Sequence, residues 1–246
     1  MTVSWWEDIH FKFLRHDHCW MVSPLFPTRE DILGRENNIM TSLGSQQWGI
    51  CPPSMILTVM SFNIRMDTES DGDHRWTKRR KAAMSVVQEM KPDIVGMQEV
   101  LPNQLRHLEE DLGSAYHILG HGRNADLSGE ASPILCAREA FEFLEMWVLA
   151  LSDTPELPGS ISWDHRLPRI CTVARLRHEL TGRCVLVLNL HADHESRSAR
   201  EHTVAFVSRI VEDLPWPNDV VVVTGDFNCG ERTTAMAPIQ RNTAQW

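Results

Sequence analysis

Residues 220–228 read VVVVTGDFN, and this stretch decides the fold class of the chain. Four consecutive valines form an apolar run that is typical of a buried strand. Asp226 and Asn228 follow at the point where such a strand would end. Because alternate residues of a strand face the same side, we expect these two side chains to point together. A strand that delivers an acid and an amide to its carboxyl end is a common way to build a phosphate-hydrolysing site.

Three further segments place polar residues after an apolar strand. They are SFNIR (residues 61–65), QEV (98–100) and NLHADH (189–194). A single segment of this kind usually marks only a cap or a turn. Four of them in one chain, in this order, are far more specific, and they indicate one shared site.

The hydrophobic pattern becomes regular from Met55 onward. It predicts helices that cover residues 77–90, the stretch from 102 to about 112, and residues 199–214. It predicts strands over residues 56–64, 94–97, 115–119, 133–136, 143–151, 169–176, 184–190 and 219–224. The helices fall into two groups separated by consecutive strands, which favours two sheets packed face to face with helices outside.

Residues 1–54 differ from the rest of the chain. They hold four tryptophans and lack sustained periodicity, and GICPPS (residues 49–54) is typical of a linker. We therefore expect a poorly ordered or unrelated extension over residues 1–54 and one domain over residues 55–246. An alternative is that the tryptophan-rich segment is a binding module for a protein partner.

Composition restricts the kind of partner. The net charge of -9 over 246 residues is unfavourable for electrostatic binding to nucleic acid, so a small phosphoester is slightly favoured over a long polyanion. No apolar run is long enough to span a membrane, and the first residues show no signal-peptide core. The six cysteines have no CxxC spacing, and we interpret Cys136, Cys171 and Cys184 as buried free thiols. These features predict a cytoplasmic protein; they do not fix its oligomeric state.

The ordered segments SFNIR, PDIVGMQE, GHGR with GEASPIL, LSDTPELPGSISWD, NLHADH and TGDFN resemble the endonuclease/exonuclease/phosphatase superfamily, which has the deoxyribonuclease I-like fold. The resemblance covers roughly residues 55–232. It implies an α+β fold, a four-layer sandwich in which helices flank two packed β-sheets. It also implies a phosphoesterase that uses Mg²⁺ or Mn²⁺ and hydrolyses a phosphodiester or a phosphomonoester by attack of water at phosphorus.

The resemblance assigns roles to particular residues. Glu99 matches the family's metal-binding glutamate, and Asn63 would help to hold that metal through its amide. Asp226 matches the aspartate that orients the attacking water. Asn228 and His191 match residues that hydrogen bond to the phosphate. A hard divalent cation prefers carboxylate oxygens and water, which suits this set of side chains.

Arg123, in the GHGR segment, is a further candidate contact for phosphate because its guanidinium is a fork-shaped donor. The alternative for this position is a loop arginine in solvent. The neighbouring acid and histidine of NLHADH, Asp193 and His194, are expected to support the following helix rather than to act directly.

Superfamily members continue past GDFN with a second aspartate and a Ser-Asp-His segment. In residues 229–246 the only acid is Glu231, and there is no histidine. We therefore expect a C-terminally truncated member, and the alternative function is a chain that keeps the fold and phosphate or metal binding with impaired or no catalysis. We also expect the strand over 56–64 to present an unpaired edge, because nothing in residues 1–54 suggests a strand that could cover it.

Overall fold

The computed structural model describes residues 55–213, 215–230 and 233, together with the backbone of residues 13–16 and 19–22. The described strands are β1 (Phe13–His16), β2 (Cys19–Val22), β3 (Val59–Asn63), β4 (Ile94–Gln98), β5 (Tyr116–Leu119), β6 (Ile134–Ala137), β7 (Phe141–Ala150), β8 (Ile170–His178), β9 (Cys184–His191) and β10 (Val220–Asp226). The described helices are α1 (Trp76–Met90), α2 (Pro102–Leu112) and α3 (Arg197–Glu212), with a short 3-10 helix at Glu69–His74.

Within these residues the strands form two sheets. One sheet has six strands in the order β1-β2-β3-β4-β6-β5, and the other has four in the order β10-β9-β8-β7. Apolar side chains from both sheets, among them Val59, Ile94, Val187 and Val222, pack into a core between them. The sheets therefore lie face to face, as the sequence predicted.

The helices cover the outer faces of the two sheets. Trp76 and Leu108, from α1 and α2, share a core with residues of β3 and β4. Val207 of α3 packs with Leu186 and Leu188 on the other sheet. The order from one surface to the other is thus helices, sheet, sheet and helix, which confirms the predicted α+β four-layer sandwich.

Local sequence explains where the helices begin and end. α1 stops where Lys91 adopts a left-handed conformation with φ of 44° and Pro92 prevents continuation. α2 begins with Pro102, whose missing N–H would be unpaired in the first turn in any case. α3 begins after Ser196, whose hydroxyl accepts a hydrogen bond from the N–H of Ala199.

Two parallel strand pairs position the site. β3 is parallel to β4, with Asn63 opposite Gln98. β9 is parallel to β10, with His191 opposite Asp226. Because the carboxyl ends of parallel strands meet at one edge of a sheet, each sheet brings two chain segments to the same rim.

The expectation of an unpaired β3 edge was wrong. β2 runs antiparallel beside β3, with Cys19 opposite Phe62 and Val22 opposite Val59, and β1 pairs with β2 in turn. A short hairpin therefore satisfies the backbone groups of β3. The rest of residues 1–54, including most of the tryptophan-rich segment, lies outside the described residues, so the division into an extension and a domain stays a prediction.

The structure also bears on the predicted buried thiols and on membrane-spanning helices. Cys136 and Cys171 are free and buried, and burial raises the pKa of both thiols to about 12; Cys184 is free but only half-buried. In the part of the chain that the structure describes, no helix is long and apolar enough to cross a membrane.

Candidate active site

The amide of Asn63 joins two acids that the sequence predicted to share a site. Its Nδ2 atom donates to Glu99 Oε1 at 2.8 Å and to Asp226 Oδ2 at 3.1 Å. Its Oδ1 atom accepts from the backbone N–H of Arg65 at 2.9 Å, which fixes the amide plane. Asn63 and Glu99 come from one sheet and Asp226 from the other, so the site lies across the rim of the two sheets.

Three non-glycine residues with left-handed backbone follow the strands that meet at this rim. They are Arg65 with φ of 56°, Glu99 with φ of 61° and Asn228 with φ of 50°. This conformation is uncommon for non-glycine residues, and such residues cluster at functional sites. At Glu99 the carboxylate reaches the segment that follows β3, where Oε2 accepts from the N–H of Met66 at 3.0 Å.

Asn228 is held by hydrogen bonds to Asp226 and Ala192 rather than by the pleat of β10. β10 ends at Asp226, and Asn228 lies in a turn in which its N–H donates to Asp226 Oδ1 at 2.9 Å. Its side-chain Nδ2 donates to the carbonyl of Ala192 at 2.9 Å. The alternation argument for Asp226 and Asn228 was therefore wrong, because the strand does not extend to Asn228.

His191 is paired with a buried glutamate. Its Nδ1 atom lies 3.0 Å from Glu130 Oε1, and the Glu130 side chain is only 9% exposed. Burial raises the pKa of Glu130, but the hydrogen bond from His191 and the guanidinium groups of Arg123 and Arg169 outweigh it, so the pKa is lowered overall. An ionised Glu130 accepts the Nδ1–H of His191 and leaves Nε2 as the ring nitrogen available to a substrate.

Arg123 belongs to the same buried cluster. Its NH1 atom lies 3.1 Å from Glu130 Oε2, and its side chain is 15% exposed, so it is not a loop arginine in solvent. Burial lowers the pKa of Arg123, although a guanidinium stays protonated in proteins. The structure thus connects Arg123 to His191 through Glu130.

Comparison with known proteins assigns the chain to a family. The model of the Endonuclease/Exonuclease/phosphatase family matches residues 60–244. The chain belongs to this family.

Two solved structures from Bacteroides thetaiotaomicron show the same family fold. An endonuclease/exonuclease/phosphatase family protein is 33% identical to the chain, with a TM-score of 0.71 over 76% of this chain and 68% of that one. A mannosyl-6-phosphatase is 32% identical, with a TM-score of 0.71 over 76% of this chain and 70% of that one. An uncharacterized protein of Acanthamoeba polyphaga mimivirus is 21% identical over 187 residues, which are 72% of this chain and 68% of that protein.

Two residues of the candidate site, Glu130 and Arg169, were not predicted from the sequence. Glu130 lies within the GEASPIL segment, but it does not follow a strand, and its partner His191 is distant along the chain. Arg169 precedes β8 and is 3% exposed. Asp193 behaves as expected, because its Oδ1 atom accepts from the N–H groups of Glu195 and Ser196 at 2.8 Å each, just before α3.

A buried layer of polar groups lies beneath the rim and ties the two sheets together. Asn189 is fully buried; its Nδ2 atom donates to the carbonyls of Met97 and Pro133, and its Oδ1 atom accepts from Gln98 Nε2 at 2.7 Å and Thr224 Oγ1 at 3.1 Å. All four bonding positions of this amide are therefore used. A fully satisfied network of this kind makes the base of the site rigid.

The residues at the rim fit a hard divalent cation. Enzymes of the family generally use divalent metals. Glu99 and Asp226 offer carboxylate oxygens that one amide holds near each other. No group of three or more His, Cys, Asp or Glu side chains suited to a metal occurs among the residues described. Mg²⁺ is usually held by one or two carboxylates and keeps several waters, so this donor set is sufficient for it.

Proposed function

We propose that this chain is a metal-dependent phosphoesterase that hydrolyses a phosphodiester or a phosphomonoester by attack of water at phosphorus. The observation that carries the proposal is the double hydrogen bond from Asn63 to Glu99 and Asp226. These bonds join Glu99, proposed to bind the metal, to Asp226, proposed to orient the water, and His191 is the register partner of Asp226.

Each side chain then has a distinct task. Glu99 would hold Mg²⁺ or Mn²⁺ with its carboxylate oriented by Asn63, and the ion would supply charge neutralisation on the phosphoryl oxygens. Asp226 accepts a hydrogen bond from the attacking water and aligns it with phosphorus. His191, supported by Glu130, donates from Nε2 to a phosphoryl oxygen when the ring is protonated, as negative charge builds in the transition state. Asn228 retains one N–H for a further phosphate contact.

A small phosphoester is the favoured substrate class. The net charge of -9 opposes binding of a long polyanion. The relative named as a mannosyl-6-phosphatase, at 32% identity, supports a sugar phosphate monoester as the first substrate to test. The site residues alone do not distinguish this class from a diester, because one fold supports many substrates.

The second candidate is a chain that binds metal and phosphate but turns substrate over slowly or not at all. The family match supports the fold and the family, and the experiment below decides whether the chain turns a phosphoester over.

The test is phosphate release from mannose 6-phosphate, p-nitrophenyl phosphate and bis-p-nitrophenyl phosphate, with and without Mg²⁺. Asp226→Asn is the test variant, and Asp73→Asn, at an exposed position, is the matched control. Magnesium-dependent turnover that Asp226→Asn abolishes and Asp73→Asn preserves supports the proposal. Absence of turnover together with a magnesium-dependent rise in Tm supports the second candidate instead.

A further inference from the structure

We propose that Arg169 is a positioning residue for His191: its buried guanidinium, placed between Glu130 and Asp193, fixes the carboxylate to which His191 hydrogen bonds. The inference rests on the proposed function, because His191 has a task only if a phosphoester is bound at this rim. Arg169 itself is assigned no contact with the substrate.

The guanidinium of Arg169 faces two acids and a histidine. Its NH1 atom is 3.8 Å from Glu130 Oε1, and its Nε atom is 3.7 Å from Asp193 Oδ2. Its NH2 atom is 2.9 Å from His194 Nδ1. The side chains of Arg169, Glu130 and Asp193 are 4%, 9% and 5% exposed, so the two ionic contacts are shielded from water, whereas His194 is 57% exposed. Among the described residues, Nε makes no hydrogen bond, and its role towards Asp193 is ionic.

The charges of this cluster balance. Arg123 and Arg169 are the two cations, and Glu130 and Asp193 are the two carboxylates, each with a side chain no more than 15% exposed. Removal of one member of a buried ion pair leaves an uncompensated charge, which is strongly unfavourable. Without Arg169, one guanidinium would remain for two buried acids.

The two oxygens of Glu130 have different partners. Oε2 is bound by Arg123 at 3.1 Å, whereas Oε1 faces both His191 and Arg169. Arg169 therefore acts on the same oxygen that accepts the Nδ1–H of His191. The lowered pKa of Glu130 is consistent with this arrangement, because both guanidinium groups favour the ionised form.

Asp193 anchors the other side of Arg169. Its Oδ1 atom accepts two backbone N–H groups at the beginning of α3, and its backbone carbonyl accepts from Arg200 NH1 at 3.0 Å. Oδ2 is left to face Arg169. Arg169 thus connects Glu130 to a rigid helix start, so loss of Arg169 should loosen Glu130 and the ring of His191 without opening the metal-binding rim.

The experiment compares Arg169→Met with Arg169→Lys and with the control Arg166→Met, which removes a surface arginine that is 81% exposed. We expect Arg169→Met to lower kcat by roughly ten- to a hundredfold, the usual effect of an outer positioning partner, while KM stays unchanged. Arg169→Lys keeps the charge and should restore part of kcat. Arg166→Met should match the parent protein.

A second readout does not depend on turnover. In metal-free protein labelled with ¹⁵N-histidine, the Nδ1–H resonance of His191 is assigned by its loss in His191→Gln. We expect this resonance to persist in Arg166→Met and to disappear in Arg169→Met, since the ring is then no longer held by a fixed carboxylate. Absence of turnover in the parent protein would contradict the proposed function, yet the resonance would still decide the role of Arg169.

Two results would overturn the inference. One is an Arg169→Met protein with the parent kcat and an unchanged His191 resonance. The other is a rise in KM at constant kcat, which would make Arg169 a substrate-binding residue. If Arg169→Met does not fold, Arg169→Lys takes its place: a reduced kcat with a weakened resonance supports the inference, and parent values for both overturn it.

Discussion

His191 and Asp226 are register partners at the carboxyl ends of the parallel strands β9 and β10. Parallel strands need a crossover connection, and α3 provides it between β9 and β10. Asn63 then reaches Asp226 from the other sheet. The candidate site is therefore a product of sheet packing, and changes within the inter-sheet layer should affect it as much as changes at the rim.

Asn63→Ala tests the bridge between the two acids. The variant removes both hydrogen bonds and leaves Glu99 and Asp226 to repel each other. We expect the apparent Mg²⁺ affinity to fall by about ten- to a hundredfold, as for loss of a partner that orients a metal ligand. Magnesium titration of the hydrolysis rate measures this, with Asn103→Ala on α2 as the control.

Glu130→Gln tests the buried ion cluster through stability. The folded-state pKa of Glu130 is lowered from its ordinary value of 4.5, so its stabilising contribution is complete above that pH and is lost as the pH falls through the folded-state pKa. At pH 7 we expect the variant to lose about 3 kcal/mol of unfolding free energy. Below pH 4.5 the difference in unfolding free energy between Glu130→Gln and the parent should shrink.

Urea denaturation between pH 7 and pH 3.5 would show this trend. Glu109→Gln, at an exposed position on α2, serves as the control. A difference between Glu130→Gln and the parent that stays constant over the whole range would mean that Glu130 is not ionised in the folded protein.

Gly96→Ala tests how closely the two sheets approach. A Cβ atom at Gly96 would lie 2.0 Å from Thr224 Oγ1 and 2.5 Å from Asn189 Oδ1. Both atoms belong to the buried polar layer, so neither can move without breaking hydrogen bonds. We expect a loss of about 1–3 kcal/mol by thermal unfolding. In Gly230→Ala the nearest described atom to the new Cβ would be Thr233 Cγ2 at 4.0 Å, an ordinary contact, so the Tm should be unchanged.

Stepwise deletion tests the pairing of β2 with β3. Removal of residues 1–54 takes away the hairpin and exposes the backbone edge of β3, which favours association between molecules. Removal of residues 1–12 keeps the hairpin and is the matched control. We expect light scattering to show larger species for the first deletion only. Equal behaviour of both proteins would show that the β2–β3 pairing contributes nothing to solubility.

Much of the fold was predictable because it depends on local patterns. The periodic apolar residues located the strands from β3 to β10 and all three described helices to within a few residues. The rim residues Asn63, Glu99 and Asp226 were predictable because each follows an apolar strand. The hydrogen bonds from the Asn63 amide to both acids agree with the expectation of one shared site.

The remaining features depend on contacts between distant residues. Glu130 and Arg169 have no distinctive local pattern, and only the folded chain brings them to His191 and Asp193. β1 (FLRH) and β2 (CWMV) are four residues each and show no alternation, so their place beside β3 could not be predicted from periodicity. The alternation of β10 did not extend to Asn228, because the strand ends at Asp226, whose side chain accepts the N–H of Asn228 in a turn.

We propose that Glu99 holds the metal ion on which phosphoester hydrolysis depends. The most direct measurement is the rate of phosphate release from mannose 6-phosphate as Mg²⁺ is added back to chelator-treated protein, for the parent, Glu99→Gln and the exposed control Glu156→Gln. We expect saturable activation of the parent and of Glu156→Gln, and little or no activation of Glu99→Gln. Equal activation of Glu99→Gln and the parent would contradict the role proposed for Glu99.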